Sequence, residues 1–217
     1  MRAALFDVDG TLTDTTYHHV LAWWEAFAQG GHRVSAADVH HAIGLPSGAL
    51  LDRLLPGRDR DDDGTVLGAH GTLFAAYRSR ISALEGAGEL LRACKERGMT
   101  VVLATSADPR ELAILRGALD AVGALEAVDA ITSTEDVEHG KPAPDLVRRA
   151  LDLAGAGASE AFFVGDSVWD MQAAEAAGVK PVGVLTGGIP GEALLQAGAV
   201  HISPTLADLR DSLPTLD

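Results

Sequence analysis

Residues 3–14 read Ala3-Ala4-Leu5-Phe6-Asp7-Val8-Asp9-Gly10-Thr11-Leu12-Thr13-Asp14. The first four residues are apolar, which predicts a short buried strand of an α/β sheet. Asp7 and Asp9 follow at the end of this strand, where open α/β sheets bind their ligands. Because side chains alternate across a strand, both carboxylates share a face if the strand continues. A turn at Gly10 would then direct both into the crevice above the sheet.

The two neighbouring carboxylates indicate a site for a cation. Clustered carboxylates resist full ionisation unless positive charge lies between them, and Mg²⁺ prefers oxygen ligands. One carboxylate could then attack phosphorus and form an acyl phosphate, while the other gives and takes protons. An aspartate pair that only caps a turn explains Asp-x-Asp equally well, so other motifs must decide.

Composition limits the kinds of partner. The chain has 217 residues, 47% hydrophobic and 22% charged, which suits a globular protein with a substantial core. A formal net charge of −14 disfavours nucleic acids and anionic membrane surfaces. The single cysteine, Cys94, cannot form an internal disulfide. No apolar run is long enough to span a bilayer, and the opening Met1-Arg2 with four apolar residues is too short for a signal peptide, so we expect a cytoplasmic protein. No obligate protein partner is evident.

Hydrophobic periodicity divides the chain into two parts. Residues 15–82 show only helical patterns, predicted at 15–29, 35–43, up to 55, and 65–81. After them strands and helices alternate, which indicates a parallel sheet with helices on both faces. The strands are predicted at 100–105, 130–132, 161–164, 181–185 and 200–202. The expected organisation is therefore a core of residues 1–14 and 83–217, with a helical module at 15–82 inserted after the first strand.

Two further strand ends carry polar side chains. Thr105 and Ser106 follow an apolar strand and could hold a phosphate oxygen, although such residues often only cap the next helix. Asp166 follows the strand 161–164, and Asp170 lies four residues later on the same face of a helical turn. These two carboxylates would complete a metal site with Asp7. Helix capping by Asp166 and a favourable helix dipole at Asp170 is the simpler alternative.

Lys141 lies in the segment Gly140-Lys141-Pro142-Ala143-Pro144-Asp145. Its ammonium could neutralise charge on a nucleophile and on a transferring phosphoryl group. The segment is not a phosphate-binding P-loop, because Pro142 stands where that motif has serine or threonine. A lysine in a surface turn is the usual interpretation of such a residue taken alone.

Together these motifs resemble the haloacid dehalogenase superfamily. The resemblance rests on the order Asp7-x-Asp9-Gly-Thr, Thr105, Lys141-Pro and Gly165-Asp166-x3-Asp170. It is greatest to the branch with a helical cap inserted after the first strand, which includes phosphoglycolate phosphatases and β-phosphoglucomutases. The resemblance implies a Rossmann-like core, residues 15–82 as the cap, and phosphoryl transfer that depends on Mg²⁺.

The resemblance also implies a role for each motif residue. Asp7 would be the nucleophile, and Asp9 the acid and then the base. Mg²⁺ would be held by the Asp7 carboxylate, the Asp9 backbone carbonyl and Asp166, with Asp170 supporting through water. The phosphoryl group would be held by Thr105, the Ser106 amide and Lys141. The expected activity is hydrolysis of a small phosphorylated metabolite, similar to phosphoglycolate or a sugar phosphate.

Two other functions remain open at this stage. The cap's first helix is similar to that of β-phosphoglucomutases, including His19, a possible substrate contact, and Trp23. However, Ser47 stands where those mutases carry a phosphate-binding arginine, and Gly165 replaces an acidic residue, so hydrolysis is favoured. A non-catalytic relative that binds a phosphorylated ligand is the other alternative, although a pure binder needs no nucleophile.

Overall fold

A six-stranded parallel sheet forms the centre of the protein. The computed structural model describes residues 1–132 and 138–213, and in these the strand order is β3-β2-β1-β4-β5-β6. The strands are β1 (Ala3–Phe6), β2 (Thr100–Leu103), β3 (Ala130–Ile131), β4 (Ala161–Gly165), β5 (Lys180–Val184) and β6 (His201–Ser203). The carboxyl ends of β1, β2 and β4 therefore meet at one edge of the sheet, with β1 between the other two.

Helices surround this sheet and also make up residues 15–82. They are α1 (Thr16–Gln29), α2 (Ala36–Ala42), α3 (Ser47–Leu54), α4 (Asp63–Ala76), α5 (Ala87–Glu96), α6 (Pro109–Asp120), α7 (Asp145–Ala154), α8 (Val168–Ala176), α9 (Gly191–Gln196) and α10 (Leu206–Ser212). The predicted α/β fold with helices on both faces is confirmed. The longest predicted cap helix was too long, because the chain leaves α4 at Ala76 and continues in turns. In these turns the Arg80 amide donates to the Tyr77 carbonyl, three residues back. A turn of this kind has nearly the same residue spacing as a helix, so the pattern of apolar residues does not distinguish the two.

The core has one hydrophobic cluster on each face of the sheet. Side chains of β1 alternate between them: Ala4 and Phe6 join one cluster, and Ala3 and Leu5 join the other. Phe6 packs edge to face on Phe162 of β4, with ring centroids 6.3 Å apart. Each such fully buried side chain contributes roughly 1.5–3 kcal/mol. This double burial fixes β1 rigidly, and with it the position of the residues that follow.

Residues 15–82 have a hydrophobic cluster of their own, built from α1 to α4 around Trp23, Phe27 and Leu51. Both ends of this segment leave the core at one place. Thr13 pairs with Ala83 in an isolated antiparallel bridge, and the Asp14 amide donates to the Ser82 carbonyl over 2.9 Å. The separate cluster supports the division into a core and a cap, which stays a prediction. Positions 133–137 and 214–217 of the predicted core lie outside the described residues.

None of the helices in the described part of the chain combines the length and the apolar character needed to cross a bilayer.

Candidate active site

Lys141 lies at the centre of a buried ionic cluster at the carboxyl edge of the sheet. Its Nζ is 2.5 Å from Oδ1 of Asp7, the residue after β1, and 2.6 Å from Oδ1 of Asp170 in α8. All three residues are buried. Asp170 also stabilises the start of α8, because its Oδ2 accepts hydrogen bonds from the amide and the hydroxyl of Ser167, the residue before the helix. Burial opposes charge on Lys141, but Asp170 and Asp7 raise its pKa above the ordinary value.

Three buried carboxylates converge beside this lysine. One oxygen each from Asp7, Asp166 and Asp170 lies within 4.8 Å of the other two. Burial raises the pKa of Asp7 to about 7, with Asp170 adding to the shift and Lys141 opposing it. Burial, Asp170 and Asp7 likewise raise the pKa of Asp166 well above its usual range. Three carboxylates against one ammonium leave excess negative charge, so these residues fit a divalent cation bound by oxygen.

The Gly-Thr pair after Asp9 is explained by the position of Asp166. Gly10 has φ +75°, and a Cβ on it would lie 2.5 Å from Oδ2 of Asp166. A side chain at this position would therefore be strained and would collide with the carboxylate. The Thr11 hydroxyl donates to Oδ1 of Asp166 over 2.8 Å and holds the carboxylate in place.

Asp9 is held by two side chains from the start of the helical segment. Its Oδ1 accepts a hydrogen bond from the Thr15 hydroxyl at 2.8 Å and lies 3.2 Å from Nε2 of His19. Although burial alone would raise the pKa of Asp9, these contacts and the charge of His19 lower it. Asp9 therefore has a fixed orientation and an environment unlike that of Asp7.

Thr105 and Ser106 follow β2 on the other side of Asp7. Thr105 is buried, and its hydroxyl accepts a hydrogen bond from the Ala107 amide over 3.0 Å. Both residues line the same cavity as Asp7 and Lys141. The hydroxyl groups predicted from the end of this strand thus lie beside the carboxylate and the ammonium.

The cavity above Asp7 is small, about 80 Å³, and it lies between the sheet edge and the helical segment. The core side contributes the carboxylates, Lys141 and the Thr105–Ala107 turn. The helical side contributes His19, Trp23, His70, Leu50 and the stretch 43–47, which includes Ser47. A ligand in this cavity would be enclosed by both parts.

The structure brings together every predicted site residue and adds four more. Thr11 lies in the quoted first stretch and Thr15 directly after it, but no sequence pattern assigns either of them a partner. His70 and Glu111 lie 51 and 92 residues after His19 along the chain, respectively, and join the site only through tertiary packing. No local sequence signal marks these two residues.

The Rossmann-like core, with Asp7 directly after its first strand, is the architecture of a class of hydrolases. A family model described as haloacid dehalogenase-like hydrolase matches residues 1–178. The chain belongs to the haloacid dehalogenase-like hydrolases.

Curated relatives and a solved structure agree with this assignment. The phosphoglycolate phosphatase of Rhodospirillum rubrum is 30% identical over 222 residues, which cover 98% of this chain and 90% of that protein. The pyrophosphatase PpaX of Halalkalibacterium halodurans is 30% identical over 183 residues, covering 83% and 81%, respectively. A hydrolase from Pseudomonas syringae superposes with a TM-score of 0.93 at 31% identity, covering 100% and 99%. The chain is consistent with a phosphoric monoester hydrolase.

Gly165 gives a test of how tightly the ionic cluster is built. A Cβ on Gly165 would lie 2.4 Å from the Cβ of Asp170. We expect Gly165→Ala to displace Asp170, and Lys141 with it. Since a misplacement of about 1 Å can cost on the order of 100-fold in rate, kcat on an aryl phosphate should fall by about that factor.

Gly71→Ala is the matched control, because a Cβ at this helical position meets nothing within 4 Å. It should leave kcat unchanged. Wild-type kcat in Gly165→Ala would show that Asp170 does not hold Lys141 for the reaction.

Proposed function

We propose that this protein is a Mg²⁺-dependent phosphatase that hydrolyses a small phosphate monoester through an aspartyl-phosphate on Asp7. The observation that carries the proposal is the Lys141 ammonium 2.5 Å from the Asp7 carboxylate, with the Asp166 carboxylate beside them. A buried nucleophile, a fixed cation and a second acid on one cavity are the parts that phosphoryl transfer requires.

In the first half-reaction an oxygen of Asp7 attacks phosphorus, and the bond from phosphorus to the ester oxygen breaks. Lys141 neutralises part of the charge that develops on the phosphoryl oxygens. The Thr105 hydroxyl and the Ser106 amide bind those oxygens from the β2 side. In this step Asp9 must carry a proton, which it gives to the leaving oxygen so that an alcohol departs rather than an alkoxide.

In the second half-reaction a water molecule attacks phosphorus, and the bond to Asp7 breaks. Asp9, now a carboxylate, takes the proton from that water. Thr15 and His19 hold the Asp9 carboxylate in one orientation throughout. Inorganic phosphate leaves, and Asp7 is free again.

The carboxylate cluster supplies the site for the metal. We assign Mg²⁺ to the Asp7 carboxylate, the Asp9 backbone carbonyl and Asp166, with Asp170 supporting through water. When bound, Mg²⁺ stabilises the negative charge on the phosphoryl group. Asp170 has a second task here, because its carboxylate already binds Lys141.

The substrate we propose is a small phosphorylated metabolite, of the size of phosphoglycolate or a short sugar phosphate. The cavity of about 80 Å³ supports this, because it is too small for a large substrate. Residues 15–82 act as a cap that closes over the substrate and excludes bulk water. We keep the cytoplasm as the expected location and expect neither nucleic acid nor a protein partner.

A mutase is the second candidate, and the charges around the cavity disfavour it. A mutase must hold a second phosphate at the far end of its substrate. Among the described residues that line the cavity, Lys141 is the sole lysine or arginine. Residues 133–137 read Ser-Thr-Glu-Asp-Val and offer no cationic side chain. Ser47 lines the cap side, where a neutral hydroxyl binds a phosphate dianion weakly.

Asp9→Asn tests the acid and base step. An amide cannot take a proton from water, so turnover should fall by roughly 10²–10⁴-fold while the fold is kept. With p-nitrophenyl phosphate, whose leaving group needs little protonation, we expect a burst of one nitrophenol per enzyme and then a stall. Stopped-flow absorbance measures both phases.

Asp120→Asn, an exposed position in α6, is the control for Asp9→Asn and should turn over normally. Steady hydrolysis by Asp9→Asn at the wild-type rate would remove Asp9 from the mechanism.

Removal of the metal tests the cofactor. Phosphate release should disappear with EDTA and return with Mg²⁺. Because Mg²⁺ offsets the charge of the carboxylates in the folded state, it should also raise the melting temperature. Asp166→Asn should lose most of this rise. Full activity in EDTA, or a Mg²⁺ stabilisation that is equal in Asp166→Asn, would contradict the assigned site.

A comparison of products separates phosphatase from mutase. We expect incubation with β-glucose 1-phosphate and a glucose bisphosphate activator to give no glucose 6-phosphate beyond the uncatalysed level. Any phosphorus that leaves the sugar should appear as inorganic phosphate, measured by ³¹P NMR. Conversion to glucose 6-phosphate without release of phosphate would establish the mutase instead.

A further inference from the structure

Four side chains form a continuous line that starts at Asp9 in the core, passes through two histidines of the helical segment and ends at Glu111 in the core. Asp9 Oδ1 lies 3.2 Å from Nε2 of His19 in α1, and His19 Nδ1 lies 3.2 Å from Nε2 of His70 in α4. His70 Nδ1 lies 3.7 Å from Oε1 of Glu111 in the first turn of α6. Both ring nitrogens of both histidines therefore face a polar partner.

The two imidazoles meet as hydrogen-bonded rings and not as a pair of metal ligands. Their ring planes differ by 19°, and their centroids are 5.4 Å apart. The distance between the centroids nearly equals the 3.2 Å between the two nitrogens plus the radii of the two rings. The nitrogens therefore face each other head-on. A shared metal ion would lie off the line between the two nitrogens, at the point where both lone pairs converge, whereas nitrogens that meet head-on direct their lone pairs at each other. One proton shared between the nitrogens fits this alignment.

Aromatic side chains hold both rings by their faces. His19 stacks on Phe74 at 3.9 Å and 9°, and His70 stacks on Trp23 at 4.0 Å and 16°. Both histidines are buried. Stacking restricts how far each ring can tilt, while the contacts between ring edges determine which way each nitrogen points.

The hydrogen-bond roles follow from the ends of the line. An ionised carboxylate only accepts, so Nε2 of His19 must donate to Asp9. Burial, with a smaller effect from His19, lowers the pKa of His70 to about 3, so His70 carries one ring proton. That proton lies on Nδ1 towards Glu111 or on Nε2 towards His19. In either arrangement His19 keeps its Nε2 proton directed at Asp9.

The line also crosses the boundary between the two parts of the chain. His19 and His70 belong to residues 15–82, whereas Asp9 and Glu111 belong to the core. Both ends of the line are therefore made only while the helical segment lies against the core.

We propose that His70 and Glu111 are positioning residues: His70 holds the His19 ring so that it faces Asp9, and Glu111 anchors His70 from the core. Asp9 is then aligned for proton transfer only when the cap is closed. This inference rests on the proposed phosphatase function, and neither residue touches the reacting atoms.

The test uses His70→Phe, which keeps the stack on Trp23 but removes both nitrogens. Loss of an outer hydrogen-bond partner of this kind costs about 10-fold or more. We expect kcat on an aryl phosphate to fall by that factor with KM changed by less than about twofold, since alignment for the chemical step is what is lost. His70→Gln, whose amide can meet Nδ1 of His19, should recover much of the loss. Glu111→Gln should give a smaller fall in kcat.

His32→Phe is the matched control for His70→Phe, because it makes the same substitution in the same helical segment outside the line. Glu96→Gln, at an exposed site in α5, is the control for Glu111→Gln. Both should leave kcat unchanged. Melting temperatures of all variants separate misfolding from misalignment.

A second measurement does not depend on activity. The ring ¹⁵N shifts of His19, measured in protein with labelled histidine, should change in His70→Phe and stay constant in His32→Phe. Unchanged His19 shifts, wild-type kcat in His70→Phe, or no recovery in His70→Gln would each overturn the proposal. If the wild-type protein releases no phosphate, the proposed function fails, and the shifts alone decide whether His70 orients His19.

Discussion

The ion pairs of Lys141 with Asp7 and Asp170 are the interactions on which the arrangement of the site depends. They join the end of β1, the loop before α7 and the start of α8 through one ammonium group. Taking each charge out of water costs several kcal/mol, so buried ion pairs need short distances and further hydrogen bonds to offset this cost. The close distances and the hydrogen bonds of Asp170 to Ser167 satisfy this condition. Of the three carboxylates of the cluster, Asp7 and Asp166 line the cavity.

Two aspartates only two residues apart are given opposite electrostatic environments. Asp7 lies in the buried cluster, where burial and Asp170 raise its pKa to about 7 despite Lys141. Asp9 points towards the cap, where Thr15 and His19 lower its pKa although burial opposes this. The result is a separation between two chemically identical groups in how readily each binds a proton. The Gly10 turn creates it, since it sends the chain away from the strand directly after Asp9.

Much of the core and its site could be predicted from sequence because the signals are local. The apolar run of β1, the polar residues at the ends of β2 and β4, and the alternation of strands and helices are each visible within a few residues. Parallel topology then brings the strand ends together without any knowledge of side-chain contacts. The end of α4 was not predictable, because turns at Tyr77–Arg80 keep a nearly helical apolar spacing.

The remaining site residues could not be found this way for a physical reason. His70 and Glu111 reach Asp9 through packing between helices that are far apart in the chain, and a buried histidine in a helix has no distinctive neighbours. Asp170 was expected to support a metal ion, and its pairing with Lys141 depends on the exact position of the 138–145 segment. Long-range contacts of this kind cannot be predicted from local sequence patterns.

The bridge between Thr13 and Ala83 has a consequence for how this chain can change over evolutionary time. Because the 15–82 segment enters and leaves at adjacent positions, the sheet needs only that those two positions remain close. Helices in the segment can be lengthened, shortened or replaced at little entropic cost, since loop closure depends only weakly on length. Selectivity for new compounds could thus diversify while the reaction chemistry stays the same.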